Sequence, residues 1–200
     1  DLLNSSSQKP TRFIFVSTAQ VYGRMNGRVD EQTPVCPSSV YAMTHYLAEK
    51  ILQQYAKAGL IRPVVIRLSN GYGPPLLSNG KIWSLVLNDF CRSAWSEGKI
   101  SLLSDGSPQR DFLYIGDVAN SVVHLLHMTD DHLPNTLNLG SGVTWSMLDL
   151  ALEVANCFTN RYGRKAEVVL NDGTVFGNFK QDQHQSRFRY VVTAAEDIGL

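Results

Sequence analysis

The sequence is short of cysteine, of unbalanced charge and of long apolar runs, and each shortage removes a class of protein. Its three cysteines, Cys36, Cys91 and Cys157, are an odd number at wide spacing, so they make neither a CxxC pair nor a disulfide framework. Small buried or half-buried thiols in a reducing cytosol are expected of them. Lys and Arg total 18 against 18 Asp and Glu, and no five like charges run together. That leaves no electrostatic footprint for a nucleic-acid backbone or an anionic membrane surface, and neither is an expected partner. No apolar stretch approaches the ~20 residues of a membrane span, and Asp1-Leu2-Leu3-Asn4-Ser5 has neither a basic nor an apolar leader region, so a cytoplasmic protein is expected. Ser17 and His45 come without a GxSxG elbow, which argues against a Ser-His-Asp hydrolase.

What is present is a folding composition: 200 residues, 44% hydrophobic and 10% aromatic, enough for one core or a core with a small lobe. Arg12–Ser17 and Pro63–Leu68 read as buried strands, and Ser39–Ala58 as a helix with Tyr41, Leu47, Ala48, Ile51, Leu52 and Tyr55 at helical spacing and Gly59 as its cap. Further helices are predicted over Ile82–Trp95, from Asp117 as N-cap to His127, and over Ser146–Phe158. Further strands are predicted at Ile100–Leu103, Asp111–Ile115, Thr136–Leu139 and Glu167–Leu170. Alternating strands and long helices predict an α/β fold, a mostly parallel sheet with helices on its faces. Asp1-Leu2-Leu3-Asn4 reads as the tail of a helix begun earlier, and the Ala194–Leu200 segment stops inside a helical pattern. The chain is therefore expected to be a piece of a longer protein, with an unfinished sheet edge.

In such sheets ligands lie beyond the carboxyl ends of the strands. Two predicted strands end in polar clusters, Ser17-Thr18-Ala19-Gln20 and Ser69-Asn70-Gly71-Tyr72, which should line one crevice. Tyr41 and His45, at i and i+4, share a helical face. A phenol is a natural proton carrier, but its ordinary pKa of ~10 requires a nearby cation and a hydroxyl donor before it acts as a base at neutral pH. His124, His127 and His132 with Asp130 and Asp131 have metal-like spacing. Histidines in a last helical turn are favoured by the helix dipole alone, and no metal is expected. Trp83, Phe90 and Trp95 on one helix are expected to serve the core or a subunit contact.

Five pieces occur in one order: Ser17-Thr18 with Val21-Tyr22-Gly23, Tyr41 four residues before a basic position, Arg67-Leu68-Ser69-Asn70-Gly71-Tyr72-Gly73-Pro74, the run Asp105–Val118, and Leu137-Asn138-Leu139-Gly140-Ser141-Gly142. Together they resemble the extended short-chain dehydrogenase/reductase family of NAD-dependent nucleotide-sugar epimerases and dehydratases. The resemblance implies the C-terminal part of a doubly wound Rossmann-like sheet with a small substrate lobe, divided as 1–74 and 117–142 for the sheet and 75–116 and 143–200 for the lobe. It implies catalytic roles for Thr18, which bonds the sugar oxygen, for Tyr41, which moves the proton, and for His45. It places Ser17, Tyr41 and His45 beside NAD. Substrate contacts are implied for Thr18, Asn70, Arg110 and Asn138, with Arg187 or Arg189 near the nucleotide. Arg110 suits a phosphate because its fork gives bidentate charge-assisted bonds. A nucleotide-diphosphate sugar as ligand, and a homodimer through the Tyr41 helix and the Ile82–Trp95 helix, follow from the same resemblance.

The sequence departs from the family pattern in three places. His45 stands where the family has Lys. A fixed cation ~4 Å away is worth ~4 kcal/mol at an effective dielectric of ~20, whereas imidazole, titrating near ~6.5, is mostly neutral at cytosolic pH. Ala19-Gln20 stand where the family's 4,6-dehydratases have Asp-Glu, and neither residue can do the acid–base work of dehydration. No GxGxxG turn joins a strand to a helix to cradle a pyrophosphate. The reading is an NAD-dependent nucleotide-sugar epimerase acting through a transient keto-sugar in polysaccharide sugar supply. The alternatives are a reductase or 4,6-dehydratase of the same family, and a catalytically impaired nucleotide-sugar or dinucleotide-binding fragment.

Overall fold

The computed structural model describes residues 10–75, 81–176 and 188–200. In chain order the elements are β1 (Thr11–Thr18), β2 (Gly27–Val29), α1 (Val40–Lys57), β3 (Ile61–Leu68), β4 (Asn70–Tyr72), α2 (Val86–Glu97), β5 (Lys99–Ser101), β6 (Gln109–Tyr114), α3 (Ile115–His127), β7 (Thr136–Leu139), β8 (Thr144–Ser146), α4 (Met147–Tyr162), β9 (Glu167–Val169), β10 (Val175–Phe176), β11 (Phe188–Tyr190) and α5 (Thr193–Glu196). The fold is α/β with parallel strands and flanking helices, as the alternation requires.

The chain forms two compact units. The first comprises Asp1–Gly71, Leu113–Val143 and Phe188–Leu200, and the second Tyr72–Phe112 and Thr144–Arg187. The last segment departs from the expected division: Phe188–Leu200 belongs to the first unit because β11 pairs in parallel with β2, Phe188 opposite Gly27 and Tyr190 opposite Val29. The central sheet of this unit has the order β1-β3-β7, all parallel, with Thr18 opposite Leu68 and Leu68 opposite Leu139. β3 is apolar on both faces, the pattern of a strand covered on both sides, and Val64, Ile66, Leu137 and Leu125 of α3 form one core layer. Arg12 ties β1 to the end of α3, donating from Nη1 to the Leu125 and Leu126 carbonyls at 2.8 and 2.9 Å and from Nη2 to that of Met128 at 2.8 Å. Carbonyls that end a helix without an intrahelical donor are thereby satisfied.

α1 starts where Ser39 Oγ accepts from the Ala42 amide at 3.1 Å, and beyond its end Gly59 adopts φ 70°. The helix forms as its spacing predicts, but the apolar stripe that suggests a core face points outward. Val40, Tyr41, Met43, Leu47, Ile51 and Tyr55 are exposed, and the residues α1 buries are Ala42 and Glu49. In the second unit α2 and α4 pack together around Phe90, Ala94, Leu150, Ala151 and Phe158, with Ile100, Phe112 and Val168 from the strands. β5 and β9 pair in parallel, β9 and β10 antiparallel, and β6 pairs antiparallel with β8. α4 is closed by a Ser146 N-cap, whose Oγ accepts from the Asp149 amide at 3.0 Å, and by left-handed Gly163.

Several local expectations change. β2 and β4 lie in segments the sequence offers as loops, and β10 and β11 in segments for which it offers no element. α3 begins at Ile115, with Tyr114 as N-cap, so Asp117 sits in the first turn rather than ahead of it. All three cysteines are exposed rather than buried. Phe90 is core, whereas Trp95 is exposed and stands edge-on to Tyr162 at 5.1 Å. No helix among the described residues is long and apolar enough to cross a membrane.

Candidate active site

The parallel register sets side by side three polar residues that the sequence separates widely. Ser17 of β1 faces Arg67 of β3, and Arg67 faces Asn138 of β7, one row before the last paired row of the sheet. Side chains of paired positions share a face, so this is a polar row across the sheet. All three are buried. Glu49 of α1 lies over the row, accepting from Ser17 Oγ at 2.6 Å, from Arg67 Nε at 3.3 Å and from Arg67 Nη2 at 2.8 Å. The remaining Arg67 nitrogen donates to the Tyr22 hydroxyl at 3.0 Å, which donates in turn to Asn138 Oδ1 at 2.7 Å. Tyr190 of β11 donates to the Arg67 carbonyl at 2.5 Å, and Glu31 accepts from the Asn138 amide at 2.7 Å.

The electrostatics follow from this packing. Burial alone would lower the pKa of the Arg67 guanidinium, but hydrogen bonds to Glu49 and Tyr22 reverse the effect and raise it overall. Burial pushes the Tyr22 phenol above its ordinary range, against the opposing pull of Arg67. Each buried charge therefore has its counter-charge and its hydrogen bonds.

At the amino end of α1, the Tyr41 and His45 rings meet at a tilt of 48° with centroids 4.3 Å apart, and the His45 ring lies 6.2 Å from Phe15 of β1. His45 Nδ1 is 2.9 Å from the Tyr41 carbonyl oxygen. A carbonyl only accepts, so Nδ1 carries the hydrogen and Nε2 is the nitrogen left for a ligand. Tyr41 is 52% exposed, open enough for its hydroxyl to meet a ligand. Thr18 is buried at the end of β1 and caps the turn Ala19–Tyr22, its Oγ1 accepting from the Gln20 amide at 3.2 Å. Its own hydroxyl proton has no acceptor among the described residues.

The other sequence-derived positions are placed as follows. Asn70 opens β4 directly beyond β3, half-buried, while Ser69 before it donates its amide to the Leu139 carbonyl at 2.9 Å. Asn138 has no exposed surface; its Oδ1 takes the Tyr22 proton and its Nδ2 donates to the Val191 carbonyl at 3.1 Å. Ser17 Oγ donates a hydrogen bond to Glu49. Arg110 belongs to the second unit, exposed on β6 opposite Trp145. Arg189 is exposed on β11, and Arg187 lies outside the described residues. His124 Nε2 meets the Ile198 carbonyl at 2.9 Å, and no group of three metal-ligating side chains occurs among the described residues. Sequence reasoning missed Glu49, Arg67, Tyr22 and Tyr190 as a network. The signal available was a charged residue, Arg67, inside an apolar strand, with an acid at the same helical stripe as Tyr41 and His45.

The sequence model of the NAD dependent epimerase/dehydratase family matches residues 1–140. The chain belongs to this family. An uncharacterized UDP-glucose epimerase of Bacillus subtilis is 28% identical over 163 residues, 80% of this chain and 48% of that protein. A dTDP-glucose 4,6-dehydratase of Neisseria gonorrhoeae is 26% identical over 201 residues, 98% of this chain and 56% of that one. Among solved structures, a UDP-glucuronic acid 4-epimerase from Bacillus cereus, in complex with UDP-glucuronic acid and NAD, superposes with a TM-score of 0.72 at 23% identity, covering 96% of this chain and 56% of that chain. The chain spans about half the length of the curated relatives it matches. Members of this epimerase/dehydratase family thus include both reaction types among its relatives.

Proposed function

We propose that this chain carries the proton-transfer and sugar-binding half of an NAD-dependent nucleotide-sugar epimerase. The observation that carries the reading is the pairing of an open phenol, Tyr41, with an imidazole one turn further along α1, on a helix packed against a parallel sheet. The donor set fits the nicotinamide end of NAD: Tyr41 and His45 Nε2 are the groups that would hold it. A Gly-rich cradle for its diphosphate has no counterpart in the 200 residues. Bound NAD supplies the hydride acceptor and donor.

The chain's own residues do the rest. Thr18 donates its free proton to the oxygen at the reacting sugar carbon, and Tyr41 removes that oxygen's proton as the carbon is oxidised to the ketone. The keto-sugar turns over, and Tyr41 returns the proton to the alkoxide on the opposite face. Asn70 is assigned to the nucleotide diphosphate. Asn138 and Ser17, with their polar atoms engaged inside the protein, are assigned to shaping the site. The outward apolar stripe of α1 supports the expected homodimer. Ala19-Gln20 offer neither acid nor base where a dehydratase has both, which favours epimerisation.

The test is made on the complete gene product supplied with NAD and UDP-, GDP- or dTDP-sugars. The epimeric sugar should form with transient absorbance of reduced nicotinamide, and Tyr41→Phe should slow it by about 10²–10⁴-fold. Formation of a dehydrated product would replace the epimerase reading, and absence of any reduced nicotinamide would end the enzymatic one.

A further inference from the structure

We infer that the buried Glu49–Arg67–Ser17 cluster is a positioning device that fixes the rotation and stagger of α1, and with them Tyr41 and His45, against the end of β1. This rests on the proposed function for its consequences in catalysis, though not for its geometry. Glu49 lies on α1 eight residues beyond Tyr41, two turns or about 12 Å along the axis. Its carboxylate is held by three donors from two strands, at 2.6, 2.8 and 3.3 Å. A buried ion pair contributes little net stability over an apolar pair of similar volume. Its directional bonds do something apolar packing does not: they reject sliding or rotation of the helix by a few tenths of an ångström.

That property is useful here because α1 meets the sheet with little large apolar surface. Val40, Tyr41, Met43, Leu47, Ile51 and Tyr55 are exposed, Tyr46 and Leu52 are half-buried, and its fully buried residues are Ala42 and Glu49. A misplacement of ~1 Å at a reacting group costs ~10²-fold in rate. Ser17, which donates to Glu49, adjoins Thr18, so one carboxylate references the Tyr41 helix directly to the strand that carries the hydroxyl assigned to the sugar. Tyr22, Asn138 and Tyr190 brace Arg67 from its far side.

The experiment compares the complete gene product with Ser17→Ala, which removes one bond from an intact ion pair, and with the double variant Glu49→Met, Arg67→Met, which keeps volume and removes the charges. Two readouts are used: kcat and KM for the nucleotide sugar, and proton contacts between the His45 and Phe15 rings by NMR, which report where α1 sits on β1 regardless of turnover. Both variants should unfold at urea midpoints near that of the parent. They should lose His45–Phe15 contacts and drop kcat about 10–100-fold with KM within about threefold. Should the double variant fail to fold, Ser17→Ala decides alone. Parental ring contacts and kcat in a folded variant would overturn the inference. A parent protein that turns over no nucleotide sugar would remove the proposed function, and the ring contacts would then decide the positioning role by themselves.

Discussion

At the scale of single residues, the defining feature is the imidazole beside Tyr41. With Nδ1 committed to the Tyr41 carbonyl, the neutral ring offers a ligand only an acceptor at Nε2, where a lysine would offer only donors and a permanent charge. His45→Lys should therefore strengthen activity at neutral pH by about tenfold or more and move the pH–rate profile to lower pH, since a fixed cation favours the phenolate. An unchanged profile would show that the cation is supplied from elsewhere. The contact of Tyr41 with His45 was legible in the sequence because positions i and i+4 share a helical face. Glu49 and Arg67 were not, because their meaning depends on strand register: only the pairing of Ser17 with Arg67 and of Arg67 with Asn138 turns three scattered polar residues into one row.

At the scale of elements, two connections outside the sheet hold the first unit together. Arg12→Met should remove the three bonds that close α3 and destabilise the unit by about 1–3 kcal/mol, read as a lowered urea midpoint. Gly23, at φ 72°, has no room for a side chain: a Cβ would stand 2.0 Å from the Cys36 carbonyl oxygen. Gly23→Ala should cost ~2 kcal/mol or more and reduce the yield of folded protein, whereas Gly27→Ala, at φ 63° with open space around it, should cost less. The long elements were readable from periodicity and, for α1, from Gly59 beyond its end, although α4 runs on to Tyr162, past the predicted end at Phe158. The short strands β2, β4, β10 and β11 were not. Two or three residues carry no period, and what makes them strands is a partner distant in sequence, as Phe188 finds Gly27.

At the scale of the whole molecule, the buried phenol of Tyr22 links stability to alkaline pH. Its folded-state pKa is raised mainly by burial, so above the unfolded value of ~10 the unfolded chain releases a proton that the native state retains. The Tyr22 contribution is thus fully present below pH ~10 and is lost as pH rises toward the folded value. Urea midpoints measured from pH 8 to 11 should fall more steeply for the parent than for Tyr22→Phe; equal slopes would refute this linkage. The exposure of Cys36, Cys91 and Cys157 has a simple readout as well: a thiol reagent should titrate all three in the native protein, without denaturant.

The pairing of β11 with β2, and the Tyr190 bond to Arg67, set an order of events during synthesis. Every other residue of the buried polar row leaves the ribosome at least fifty positions before Tyr190 does. A nascent chain therefore holds Arg67 and Asn138 without their last cover, wet and loosely fixed, until the segment Phe188–Tyr190 emerges. The polar row becomes dry and fixed only once β11 has been made and has paired with β2, so its completion waits on a segment distant in sequence from the rest.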